Sequence, residues 1–139
     1  MAKITIHSTA RPVRNNPDDI IRWICVELGF SNGLDEDNVV EKMLAELAEA
    51  AHDNRGLTSS ELHKGKGPSR STIIYHLNRF IDCGLVVKQG RQYYLRAMEL
   101  SKALEEVEYD IDIEMKKMIN MANEYDRALS TRLRPNNPR

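Results

Sequence analysis

Long apolar runs are missing from this chain, and no stretch approaches the roughly 18 residues that a membrane span requires. The opening residues, MAKITIHSTARPVRNNP, also lack the apolar core of a secretory signal. A cytoplasmic protein without membrane partners is therefore expected. Cysteine is scarce: Cys25 and Cys83 fall in segments of helical periodicity with no CxxC spacing. That argues against a disulfide framework or a zinc site and leaves two small buried hydrophobes. His7, His52, His63 and His76 are scattered, and neither a nucleophile elbow nor a metal-ligand spacing is present. No enzymatic activity, metal or cofactor is expected. Gly65-Lys66-Gly67 holds glycine beside lysine, but the GxxxxGK[ST] order of a phosphate loop is absent.

The 139 residues are 41% apolar and 29% charged, the make-up of a chain able to bury a core. A net charge of -1 hides strong segregation. Residues 1–63 carry 6 Lys/Arg against 11 Asp/Glu, residues 64–96 carry 7 against 1, and residues 97–126 carry 3 against 9. Four further arginines lie in 127–139. Fields act within a Debye length of about 10 Å, so the local excess of cations in 64–96 outweighs the global balance.

Residues 1–17 form an N-terminal arm. Lys3-Ile4-Thr5-Ile6 is a short strand or a swapped arm, and the two prolines that follow keep the chain extended, as a linker or a contact to DNA backbone. Asn16-Pro17-Asp18-Asp19 starts a helix by cap, N1 proline and first-turn acids. Ile20, Ile21, Trp23, Ile24 and Leu28 give it an apolar side with Trp23 as packing anchor, and Gly29 ends it. A second helix follows Asp35-Glu36-Asp37. It places Val39, Val40, Met43, Leu44 and Leu47 inward, and Glu41, Lys42, Glu46 and Glu49 on a solvated face.

The stretch from Leu57 to Arg96 carries the specific signal. Leu57-Thr58 is a short strand or an entry, and Thr58-Ser59-Ser60-Glu61 has the form of a capping box for a short helix. Gly65-Lys66-Gly67-Pro68 must turn. Ser69 caps a second helix over about Arg70–Cys83, buried through Ile73, Leu77, Phe80 and Ile81 and stopped at Gly84. Its other side displays Ser69, Arg70, Ser71, Ile74, Tyr75, Asn78 and Arg79. Arginine matches guanine edges, asparagine matches adenine edges, Ser and Tyr suit phosphates, and an isoleucine suits a thymine methyl. Leu85–Lys88 and Gln92–Leu95 then form a hairpin through Gln89-Gly90-Arg91. Lys64 and Lys66 in the turn, with Lys88 and Arg91 on the hairpin, add candidate phosphate contacts.

Thr72-Ile73-Ile74-Tyr75-His76-Leu77-Asn78-Arg79-Phe80, continued by Gly84-Leu85-Val86, resembles the recognition-helix signature of winged helix-turn-helix transcriptional regulators, of the ArsR-, MarR- and TrmB-like prokaryotic and archaeal kinds. The likeness covers Leu57 to Leu95, under a third of the chain. It implies a mainly α fold with a small β-hairpin wing over residues 18–97. It would also make Arg70, Ser71, Ile74, Tyr75 and Asn78 groove-facing, with Arg91 on the wing. The metal-binding cysteine motif of the arsenic-type sensors is absent, so metal sensing is not implied.

Residues 98–130 contain no Gly or Pro and predict a long C-terminal helix. Leu104, Ile111, Met118 and Tyr125 take one heptad position; Leu100, Val107 and Met121 take the other, interrupted by Glu114. Such a seam points to dimerisation through a second copy, or to packing on the chain's own first helix. Residues 131–139 read as a disordered tail. Together these features suggest a homodimer reading a pseudo-palindromic site in double-stranded DNA. The alternative is a winged-helix adaptor in a transcription or RNA-processing assembly. A small-molecule effector is left room for, although no residue set identifies one.

Overall fold

The computed structural model describes residues 3–32, 38–65 and 67–133. They form five helices and three short strands: α1 (Pro17–Glu27), α2 (Val39–His52), β1 (Leu57–Thr58), α3 (Ser59–His63), α4 (Arg70–Cys83), β2 (Val86–Gln89), β3 (Gln92–Leu95) and α5 (Leu100–Leu133). The fold is mainly helical with a small antiparallel sheet of order β1-β3-β2. Two compact units are distinguished, Met1–Val107 and Glu108–Arg139. No helix among the described residues is long and apolar enough to cross a membrane.

Local chemistry sets most element ends. Asn16 accepts from Asp19 N at 2.9 Å, and Pro17 opens α1 without losing a backbone bond. Thr58 Oγ1 accepts from Glu61 N at 3.1 Å while Thr58 N donates to Glu61 Oε1 at 2.9 Å, a complete capping box. These hydrogen bonds hold the Glu61 carboxyl below its ordinary value of 4.5. Ser69 caps α4 through Thr72 N. At the other end Gly84 adopts φ 90°, a left-handed conformation that suits glycine, and Leu85 N reaches back to Phe80 O at 3.0 Å.

The core of the first unit lies where the apolar sides of α2 and α4 meet the sheet. Leu44, Leu47, Ile73, Leu77, Phe80, Leu85 and Val86 are fully buried. Phe30 packs edge-on against Phe80 with ring centroids 5.0 Å apart. Ile81, expected inside, is half-buried. The hairpin register pairs Val86 with Leu95 and Gln89 with Gln92, so the first strand begins one residue later than expected and Gly90-Arg91 alone make the turn. Leu57 is a strand residue indeed, and its partner is Tyr93. The Tyr94 ring lies so close to Gly56 that a Cβ there would sit 2.8 Å from it.

Several expectations are corrected. Lys3–Ile6 is not a strand; Lys3 N donates to Asp82 O and His7 N to Glu27 O, which tie the arm along the ends of α4 and α1. Glu41 is not on the solvated face but only 5% exposed, with no hydrogen-bond partner for either oxygen among the described residues. Burial pushes the Cys25 thiol up to about 12, and the Glu41 charge adds to the rise. Burial likewise raises Cys83. α5 starts at Leu100 rather than Met98 and continues through Leu133, so residues 131–133 are helical rather than tail. The acidic run 35–37 and the rest of the tail lie outside the described residues.

Two measurements follow. Thr58→Ala should cost about 1 kcal/mol, read as a lower urea midpoint. The Glu61 contribution is present above its unfolded value and lost as pH falls through its depressed folded value, so the gap between the proteins should narrow below pH 4.5. A disulfide reagent at pH 8 should find both thiols inert in the native chain and both reactive in denaturant, because each is buried and held protonated. Rapid native reaction at either would contradict the packing.

Candidate nucleic-acid interface

Helix α4 has two chemically distinct sides because its apolar residues recur at helical spacing. Ile73, Leu77 and Phe80 face the core, and between them the 3.6-residue repeat turns Arg70, Ser71, Ile74, Tyr75 and Asn78 to the surface. Tyr75 is 59% and Ile74 37% exposed, an open position for two large apolar groups. At the start of the helix Ser69 Oγ lies 2.9 Å from Ser71 Oγ and 3.1 Å from Thr72 Oγ1. Arg70 reaches back to Ser59 Oγ at 3.4 Å, which steadies its guanidinium near the cap of α3. The expected side chains of this helix thus share one exposed face, with a single exception.

The exception is Arg79. Its guanidinium donates to Phe30 O at 3.2 Å and to Gly29 O, and lies over the Phe30 ring at 5.4 Å and the Tyr75 ring at 5.8 Å. Those carbonyls belong to the turn that follows α1, so Arg79 is a clamp between α1 and α4 rather than a surface contact. A planar guanidinium suits this position because it can serve two carbonyls while stacking on an aromatic face.

The other cations also divide. Lys64 pairs with Glu46 at 2.7 Å, and Arg96 pairs with Glu106 at 3.3 Å. Lys88 is exposed with its ammonium 5.4 Å from the Tyr93 ring centroid, and Arg91 is exposed at the hairpin turn. Lys66 lies outside the described residues. Of the seven cations in 64–96, Arg70, Lys88 and Arg91 therefore remain exposed with no carboxylate partner among the described residues.

The residues expected to form a dimerisation seam are split in the same way. Val107 is 2% exposed and, with Ala103, belongs to the core of the first unit; it is not open to a second chain. Leu100, Leu104 and Ile111 are half-buried. Met118, Met121 and Tyr125 are 57%, 64% and 65% exposed. Arg79 and Glu41 were invisible to sequence pattern alone, because each owes its role to groups far away in the chain.

Arg79→Ala should lower stability by about 1–3 kcal/mol, since two carbonyls and two aromatic faces lose their partner. The check is a urea titration, and an unchanged midpoint would show that the clamp contributes nothing. No family model matches this chain, and no curated protein or solved structure gives a significant match.

Proposed function

We propose that this chain is a winged helix-turn-helix transcriptional regulator of the cytoplasm, binding double-stranded DNA sequence-specifically as a homodimer on a pseudo-palindromic site. The observation that carries the reading is the outward face of α4. It gathers a guanidinium, a serine hydroxyl, an amide, a phenol and an aliphatic side chain on one exposed side of a helix whose back is core. That is the donor, acceptor and methyl-contacting set a major groove demands. Arg70 and Asn78 read base edges, Ile74 meets a thymine methyl, and Ser69, Ser71 and Tyr75 hold phosphates. β2 and β3 are the wing, and Lys88 and Arg91 carry its charge to the backbone.

A homodimer places two such helices about 34 Å apart, one turn of duplex. The wing cations Lys88 and Arg91 of each protomer set the electrostatic scale. Four neutralised phosphates per dimer give log K against log salt a slope of about -4.

The test is selection of bound sites from a random duplex pool, followed by a salt titration on the winner. A two-fold symmetric site with the steep slope is expected. Arg70→Ala should lose about 1–3 kcal/mol of discrimination at one position of each half-site. Lys88→Ala should weaken all sequences alike and flatten the slope by about one per protomer. A pool that yields no preferred sequence, or a flat salt response, sinks the reading.

A further inference from the structure

The second unit holds an apolar stripe that avoids the Glu114 interruption. Ile111, Met115, Met118, Ala122, Tyr125 and Leu129 follow one another at steps of four and three. At 100° per residue they fall within an arc of about 80°. The middle of the stripe is open: Met115, Met118 and Tyr125 are 47–65% exposed. Its next positions are charged, Glu108 before and Arg132 after. Charge along this part of α5 is polarised in the same sense. Residues 108–114 contain four acids and no base, and residues 127–133 contain two arginines and no acid.

We infer that this stripe is covered by the same stripe of a second copy, with the two helices antiparallel and centred near Asn120. The inference rests on the homodimer proposed above and fixes how its helices run. Antiparallel pairing brings each position opposite its mirror image about residue 120. Ile111 then meets Leu129, Met115 meets Tyr125, and at the centre of the seam the long Met118 meets the small Ala122. Each end of the seam closes with Glu108 of one copy beside Arg132 of the other. Parallel pairing in register would instead set Glu108 against Glu108 and Arg132 against Arg132, and lay the two acidic segments side by side. Helix dipoles also oppose favourably only in the antiparallel arrangement. One feature counts the other way: Asp112 comes near Asp126 of the other copy. Lys116 already offsets that charge, pairing with Asp112 at 3.0 Å.

The direction is read by a spin label on Ser130→Cys in the full chain; Cys25 and Cys83 are buried and leave the new thiol as the reactive one. Antiparallel pairing about residue 120 sets the two labels about 30–35 Å apart, and parallel pairing about 10–20 Å. A second arm uses charge. Arg132→Glu should raise the dimer dissociation constant about tenfold, and adding Glu108→Arg should restore it. In a parallel pair Arg132→Glu merely exchanges one like-charged contact for another. The longer distance with charge-swap rescue supports the inference. A short distance, or no rescue, overturns it and leaves the dimeric DNA reading in place. Absence of dipolar coupling in a chain that sediments as a monomer overturns both this inference and the dimeric part of that reading, whereas the salt titration on DNA fails or succeeds independently.

Discussion

Everything specific about this molecule depends on α4 being held by its back. A helix of 14 residues has too little intrinsic stability to stand alone, so the burial of one side decides whether the other is displayed at all. Ile73, Leu77 and Phe80 supply the area, and Phe80 meets Phe30 edge-on. Arg79 then fixes the rotation of the helix about its axis. Its guanidinium reaches the Gly29 and Phe30 carbonyls while Arg70, Ile74 and Asn78 point outward. Apolar burial is non-directional; the clamp supplies the direction.

The parts of the fold that were legible beforehand are those whose cause lies within four residues. Asn16 with Asp19, Thr58 with Glu61, and Ser69 with Thr72 are local bargains between a side chain and the next turn's backbone. The Gly84 stop is equally local. So is the alternation that marks β3. What escaped the sequence was set at a distance. Leu57 pairs with Tyr93 across 36 positions, and nothing in either residue announces the other. Glu41 stands beside Lys42 in sequence and still lies inside, near Cys25 of α1, where α1 and α2 pack together. Of the candidate interface, the face of α4 was readable from its period, while the diversion of Arg79 was not.

Charge shows the same division. The cationic excess of residues 64–96 is real in the sequence, yet Lys64, Arg79 and Arg96 spend their charge within the chain. A count of cations measures what a segment contains. The field outside it depends on which of them lack a carboxylate or carbonyl partner, and among the described residues those are Arg70, Lys88 and Arg91. The reduction concentrates the remaining charge at the start of α4 and on the hairpin.

The sheet order has a mechanical meaning. Because β3 lies between β1 and β2, the hairpin is tied to β1 along the outer edge of β3, and β1 ends at Thr58, the residue that caps α3. Strand, cap and hairpin are therefore one stiff frame, with the Tyr94 ring resting on Gly56 as its inner brace. A chain that needed a longer or shorter reach beyond that frame could change it at Gly90-Arg91 without shifting a single strand pair. An insertion within β1, α3, α4, β2 or β3 would break a cap, a ladder or a buried face. Variation in reach is thereby confined to one turn, and the frame that aims α4 is left untouched.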